Sequence, residues 1–254
     1  MVSVREEYIL NELNSKGTVS VRELSNILQC SEVTIRNDIK RMEEKELLIR
    51  KHGGAVKKEE RLSLSIRPGN VYKRKDEKVR IANKAFEYIK DKDTIFIDDS
   101  SIGYYLAKRI LEEDYLHIVV ITNSLAVATI LSNSQNIVLY MIIGQIGGKL
   151  PSAVGDLAIE SILKFKADKA FISAHGVNFK AGVTSVGSPQ MQVKKAVLDI
   201  SDKVYLMVDS SKFGGGYVLV VCPLSKITKT ITDIGLSSEN RELAKKYLVN
   251  LDIV

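Results

Sequence analysis

The sequence predicts a two-part α/β chain. A small N-terminal domain of three helices and a hairpin precedes a C-terminal domain with a mostly parallel sheet flanked by helices. Three observations predict this. Residues 4–45 carry apolar side chains at helical spacing, and Gly53-Gly54 follows an extended Leu47-Leu48-Ile49. From residue 94 onward, short apolar runs alternate with helical patterns, as strands buried on both faces do. Between the two lies a charged stretch that has no clear period and contains Pro68, which disfavours a helical residue before it. The expected division is therefore 1–58, a linker over 59–75, and 76–254.

Val4, Tyr8, Ile9 and Leu13 share one face of a first helix over Val4–Asn14, which Gly17 ends. Ser20 and Glu23 read as a capping box opening a second helix that buries Leu24, Ile27 and Leu28. Cys30 lies in the turn, and Ser31 caps a third helix from about Glu32 to Lys45. That helix buries Val33 or Ile35, then Ile39 and Met42. Thr34, Arg36, Asn37, Lys40 and Arg41 are left on or beside its outer face. Asp38 is expected to hold Arg36, Arg41 or a group on the second helix. Arg50, Lys51 and His52 form the basic tip of a hairpin, with Gly53-Gly54 supplying a turn where φ can be positive.

Charge supports a polyanion partner for this half. Residues 1–75 hold 16 Lys and Arg against 11 Asp and Glu, whereas residues 76–254 hold 21 against 20. Arg and Asn can make paired hydrogen bonds to guanine and adenine edges, Thr can touch a thymine methyl, and Lys neutralises phosphate. The arrangement is a winged helix-turn-helix, which places one helix in a DNA major groove. Expected contacts to double-stranded operator DNA are Ser31, Thr34, Arg36, Asn37, Lys40, Arg41, Arg50, Lys51 and His52.

Residues 3–58 resemble the winged helix-turn-helix of DeoR-family bacterial transcription regulators. The likeness rests on Ser31-x-x-Thr34-Ile35-Arg36-x-Asp38-Ile39 and on Arg50-x-His52-Gly53-Gly54-Ala55. Asn37 stands where the family usually has a second Arg, which implies a different operator.

In the second half a helix resumes near Asp76, with Val79, Ile81, Ala82, Ala85, Phe86 and Ile89 apolar. Strands are predicted at Thr94–Ile97, Ile118–Ile121, Ile137–Ile143, Lys169–Ser173, Val204–Val208, Val218–Cys222 and Thr230–Thr232. Helices are predicted at Gly103–Leu111, Leu125–Leu131, Asp156–Phe165, Pro189–Ile200 and Ser238–Asn250. Ligands of such sheets bind beyond the carboxyl ends of the strands. The loops there are polar: Asp98-Asp99-Ser100-Ser101, Thr122-Asn123-Ser124, Gly144 to Lys149, Ala174-His175-Gly176 and Asp209 to Gly214. Small hydroxyl residues and glycines before a helix can cradle phosphate through backbone N–H groups.

Residues 76–254 look like the DeoR-family effector domain, related to ribose-5-phosphate isomerase and glucosamine-6-phosphate isomerase. Matching segments are Ile121-Thr122-Asn123-Ser124, Ala167 to Phe171, Asp209 to Phe213 and Ile231-Thr232-Asp233. The resemblance implies a phosphorylated sugar as effector. Candidate contacts are Asp98, Ser100, Ser101, Thr122, Asn123, Gly144, His175 and Lys212. Two departures fall in these loops. Asp98-Asp99-Ser100-Ser101-Ile102 replaces the usual Asp-x-Gly-Thr-Thr, and Gly144-Gln145 replaces Gly-Gly. A carboxylate at Asp99 about 5 Å from a phosphate would oppose binding by roughly 1 kcal/mol or more, depending on exposure.

The function expected is a sequence-specific transcription regulator, a repressor of a carbohydrate-metabolism operon that assembles as a dimer or tetramer. An isomerase-like enzyme with an added DNA-binding domain is one alternative, with Asp98, Asp99 or Asp209 as base and His175 as a weaker candidate. A C-terminal domain that only oligomerises is the other. No catalytic residue or cofactor is expected, and no metal site either, because three His and the distant Cys30 and Cys222 form no ligand set for zinc. A reduced, cytoplasmic setting is the simplest reading. No membrane partner is expected, since the most apolar run, Ile137 to Ile143, is far too short to span a bilayer.

Overall fold

The computed structural model describes residues 4–16, 18–44, 47–51, 53–56, 69–147, 150–216 and 218–254. The chain divides into two compact units, Met1–Leu64 and Ser65–Val254.

The first unit contains α1 (Val4–Lys16), β1 (Thr18–Ser20), α2 (Val21–Ile27), α3 (Glu32–Glu44), β2 (Ile49–Lys51) and β3 (Gly54–Val56). The strands form an antiparallel sheet in the order β1-β3-β2. Ile9, Leu13, Val19, Val21, Leu24, Ile35, Ile39, Met42, Leu48 and Ala55 make one buried core. Between the two candidates on α3, Ile35 is buried and Val33 is 64% exposed.

Two expectations here are corrected. Ile27 is 52% exposed rather than buried. Val21, Leu24 and Leu28 share the inward face, and at about 100° per residue Ile27 falls roughly a quarter-turn off it. The Ser20–Glu23 capping box does not form, because the Ser20 side chain makes no cap hydrogen bond. Ser20 is instead the last residue of β1, paired with Gly54, and the Val21 N–H donates to the Gly53 carbonyl at 2.9 Å. The ending assigned to Gly17 lies outside the described residues, as do most of the 59–75 linker and Pro68.

The second unit opens with α4 (Gly69–Tyr72) and α5 (Lys75–Phe86). It continues β4 (Thr94–Ile97), α6 (Ser101–Leu111), β5 (Ile118–Thr122), α7 (Leu125–Leu131) and β6 (Ile137–Met141). A hairpin, β7 (Gln145–Gly147) and β8 (Ser152–Val154), leads to α8 (Asp156–Ile162) and β9 (Ala167–Ile172). Then come β10 (Gly176–Asn178), β11 (Gly182–Ser185), α9 (Ser188–Ile200), β12 (Ser201–Met207) and β13 (Leu219–Cys222). The unit closes with β14 (Lys229–Thr232), α10 (Ser238–Lys246) and β15 (Leu251–Ile253).

Seven strands form an all-parallel sheet in the order β15-β14-β12-β9-β4-β5-β6. Strand alternation sorts the core into two layers. Ile95, Ile97 and Phe171 pack with α5, α6 and α7, whereas Phe96, Ala170 and Ile172 pack with α8 and α9.

Three expectations about this unit are corrected. Val218–Cys222 is not a strand of the main sheet. As β13 it pairs antiparallel with β11 in a separate sheet, β10-β11-β13, and leaves Val220 41% exposed. Gly144 to Lys149 is not simply a loop, since Gln145–Gly147 pairs with Ser152–Val154. The last helix stops at Lys246 and not Asn250, because Leu248 takes a left-handed φ of 53° and the chain then adds β15 to the sheet edge.

Candidate DNA-reading surface and strand-end site

On α3 the Ser31 hydroxyl accepts the Thr34 N–H at 3.1 Å, the cap expected of it, and lies 2.8 Å from the Thr34 hydroxyl. Arg36, Asn37 and Lys40 are exposed. Val33 joins them, since positions three, four and seven residues apart share a helix face. Sequence reasoning did not assign Val33; its spacing from Arg36 and Lys40 was the available signal. Arg36 pairs with Glu32 at 2.8 Å along the helix, an exposed contact that DNA can displace at little cost.

Asp38 is buried and clasps two guanidiniums, Arg5 of α1 and Arg41 of α3. Of the partners expected for Asp38, Arg41 is the one it holds, and Arg36 goes to Glu32. Arg41 also lies 3.5 Å from Glu6, so its charge is tied to α1. Arg50 and Lys51 are exposed along β2, with the Arg50 N–H donating to Glu43 at 3.1 Å. His52 lies outside the described residues.

In the second unit the chain runs from β4 toward β5 and β6 on one side, and later fills β9, β12, β14 and β15 on the other. The reversal lies between β4 and β9, and the crevice beyond their carboxyl ends is where such sheets hold ligands. Asp98 follows β4 and is 2% exposed. Its oxygens accept the Ser100 N–H at 3.1 Å and the Ser173 N–H at 2.7 Å, and it pairs with the Lys194 ammonium of α9. Lys194 is itself buried; Asp98 and Asp99 outweigh desolvation and hold its pKa above the ordinary lysine value.

Asp99 accepts a hydrogen bond from the Ser152 hydroxyl at 2.7 Å. Burial pushes the Asp99 pKa up, and the neighbouring Asp98 adds to this, against Lys194.

A raised folded-state pKa contributes stability below the usual carboxylate value of 3.8, and that contribution is lost as pH rises through the folded value. Asp99→Asn is thus expected to gain on the wild type as pH rises from about 4 toward 7, with the two converging in acid. Urea midpoints at several pH values test this, and a difference independent of pH would refute it.

His175 follows β9. Its N–H donates to the Thr184 carbonyl at 3.2 Å and its Nδ1 lies 3.4 Å from the Ser185 hydroxyl. Burial, then Lys194 and Lys212, hold its pKa below 6.5, so the ring is neutral near neutral pH. Asp98, Asp99, His175, Lys194 and Lys212 thus share one electrostatic neighbourhood.

Other predicted contacts hold the loops in shape. Ser100 caps α6 by accepting the Gly103 N–H at 2.9 Å. Thr122 is fully buried between the Ile97 carbonyl and the Ser124 N–H. Asn123 donates to the Ala153 carbonyl at 3.2 Å, while its buried Oδ1 has no hydrogen-bond partner. Gly144 lets the backbone meet α8, since a Cβ there would lie 2.9 Å from both the Ala158 Cβ and the Val154 carbonyl. Ser101 opens α6 and is partly exposed. A groove lined by Lys195, Asp202, Val204 and Cys222 lies at the opposite end of β12, away from these loops.

A helix-turn-helix reader joined to an α/β domain with polar strand-end loops defines a class of ligand-responsive transcription regulators. The chain belongs to the DeoR family. Residues 5–61 match the DeoR-like helix-turn-helix domain and residues 73–234 the DeoR C terminal sensor domain. The uncharacterized HTH-type transcriptional regulator YulB of Bacillus subtilis (strain 168) is 35% identical over 93% of this chain and 90% of its own length. The lactose phosphotransferase system repressor of Lactococcus lactis subsp. lactis is 30% identical over 96% and 95%. The glycerol-3-phosphate regulon repressor of Escherichia coli (strain K12) is 27% identical over 90% of each chain.

Proposed function

We propose that this protein represses a carbohydrate-metabolism operon by binding its operator through α3 and the hairpin, and that a phosphorylated sugar at the β4/β9 crevice controls it. The exposed row Val33, Arg36, Asn37 and Lys40 carries the DNA half of this reading. Lys212 and a neutral His175 near the strand ends support an anionic ligand, whereas Lys194 there is already paired with Asp98. Two relatives are named as repressors of a lactose phosphotransferase system and of a glycerol-3-phosphate regulon. A symmetric dimer or tetramer suits a helix-turn-helix that reads repeated half-sites.

Arg36→Ala and Asn37→Ala are expected to cost about 1–3 kcal/mol each against the operator, and less against random DNA. Lys51→Ala is expected to weaken both and to lower the salt slope by about 1. Operator titrations at several salt concentrations test this, and an unchanged affinity for Arg36→Ala would reverse the assigned orientation of α3. For the sensor half, a sugar phosphate that binds must raise the melting temperature by mass action. A panel of pentose, hexose, hexosamine and triose phosphates that leaves it unmoved would favour a purely oligomerising domain. Turnover of any of them would favour the isomerase reading.

A further inference from the structure

The chain enters the second unit through α4, and the first residues there are pinned. Val71 is 2% exposed, and its carbonyl accepts the Tyr105 hydroxyl of α6 at 3.2 Å. Two residues then separate α4 from α5, Lys73 and Arg74. Arg74 takes a left-handed conformation, φ 55° and ψ 46°. For an arginine this costs on the order of 1–2 kcal/mol and persists only where the surroundings impose it.

The Arg74 guanidinium supplies that constraint. It reaches the carboxyl ends of two strands, β12 and β14. Its Nη2 donates to the Ser210 hydroxyl at 2.9 Å and lies 3.4 Å from Asp233, while Nη1 lies 3.5 Å from Asp209. The anchors are firmly placed. Asp233 accepts the Ser210 N–H at 2.6 Å and the Gly235 N–H at 2.9 Å. Asp209 accepts the Ser211 N–H at 3.1 Å. The Arg74 Nε is buried without a hydrogen-bond partner, 3.5 Å from Glu77. The grip is therefore strong on one side and incompletely satisfied on the other.

The same short turn, Ser210–Lys212, carries Lys212. Lys212 lies in the field of His175, hence of the β4/β9 crevice, and in that of Lys78, one turn into α5. The turn thus carries both Lys212, which lies in the field of His175, and Ser210, which accepts a hydrogen bond from Arg74.

We propose that Arg74 is a latch between the ligand crevice and the segment leading from the DNA-reading unit. While the guanidinium holds Asp209, Ser210 and Asp233, Arg74 is left-handed and α4 and α5 stay separate. When an anion draws Lys212 and its turn toward the crevice, the grip loosens and Arg74 relaxes to the right-handed form. Residues 69–86 then join as one helix. The ligand acts because it favours one of two discrete arrangements, as coupling requires. The control of the latch rests on the sugar-phosphate reading above; its mechanics do not.

The test uses the full-length protein. Arg74→Ala removes the grip and favours the right-handed form, whereas Arg74→Gly removes the grip but allows the left-handed backbone. In Arg74→Ala the amides of Lys75, Asp76 and Glu77 gain helical acceptors. Their hydrogen exchange is expected to slow about tenfold or more relative to wild type, with or without ligand, and Arg74→Gly should show less slowing. Unchanged exchange at these amides in Arg74→Ala would overturn the latch whatever the ligand does.

A second measurement uses any sugar phosphate that raises the wild-type melting temperature. Arg74→Ala is expected to keep that thermal shift but lose the ligand's effect on operator affinity, an effect of about 5–150-fold in coupled systems. A full ligand effect in Arg74→Ala would also overturn the latch. Slowed exchange with no thermal shift from any sugar phosphate would instead uphold the latch and defeat the sugar-phosphate reading.

Discussion

Lys194→Met is expected to destabilise the C-terminal domain by about 3–5 kcal/mol, the range for removing one member of a buried ion pair. The side chains of Lys194 and Asp98 are 7% and 2% exposed, so neither charge can turn to water when its partner is lost. The Met variant leaves Asp98 with two backbone N–H donors but beside Asp99 and without a cation. Asp98→Asn removes one of these charges, so the double variant should recover part of the loss. Chemical denaturation of the four proteins of this cycle isolates the pair. A cost below about 1 kcal/mol for Lys194→Met would mean that the pair merely breaks even with an apolar replacement.

Gly54→Ala is expected to unfold the hairpin side of the DNA-reading domain. Gly54 pairs with Ser20 of β1 and with Lys51 of β2, so it sits at the centre of the small sheet. A Cβ there would lie 2.0 Å from the Val19 carbonyl oxygen, a backbone atom with no rotamer to escape into. The expected cost is about 3 kcal/mol, the upper end for forced overpacking, with operator binding lost alongside it. Gly53→Ala is the internal comparison. Its φ is +80° but nothing lies within 4 Å of the added carbon, so only backbone strain of about 1 kcal/mol applies. Separate melting transitions should show the C-terminal domain unchanged in both variants. If Gly54→Ala melted with the wild type, the β1–β3 contact would not be holding the hairpin.

Local chemistry was legible in the sequence and long-range pairing was not. The Ser31 cap and the span of α3 were readable because a cap and an apolar stripe lie within one helix. The same holds for β4, read at its full Thr94–Ile97 extent from a continuous apolar run. Val33 and Ile35 were separable by period, since Ile35 lies four and seven residues before the buried Ile39 and Met42 and Val33 does not. Lys194 was missed because a lysine in an amphipathic helix ordinarily reads as solvated, and its partner lies far upstream in the chain. Ser20 misled for a related reason: its capping-box spacing is real, but pairing with Gly54 claims the residue first. The Val218–Cys222 run has the composition of a buried strand, and composition does not say which sheet a strand joins.

The strand order also sets a timetable for synthesis. Every pairing of the small sheet is complete once the chain has reached Val56. The large sheet cannot close its centre so early, because Ile95 of β4 pairs with Lys169 of β9. Parallel pairings over such separations form slowly, and domains made first generally fold first. At ~5–20 residues per second, the interval between these points is on the order of ten seconds. Each nascent copy therefore finishes its DNA-reading half well before its C-terminal half is complete.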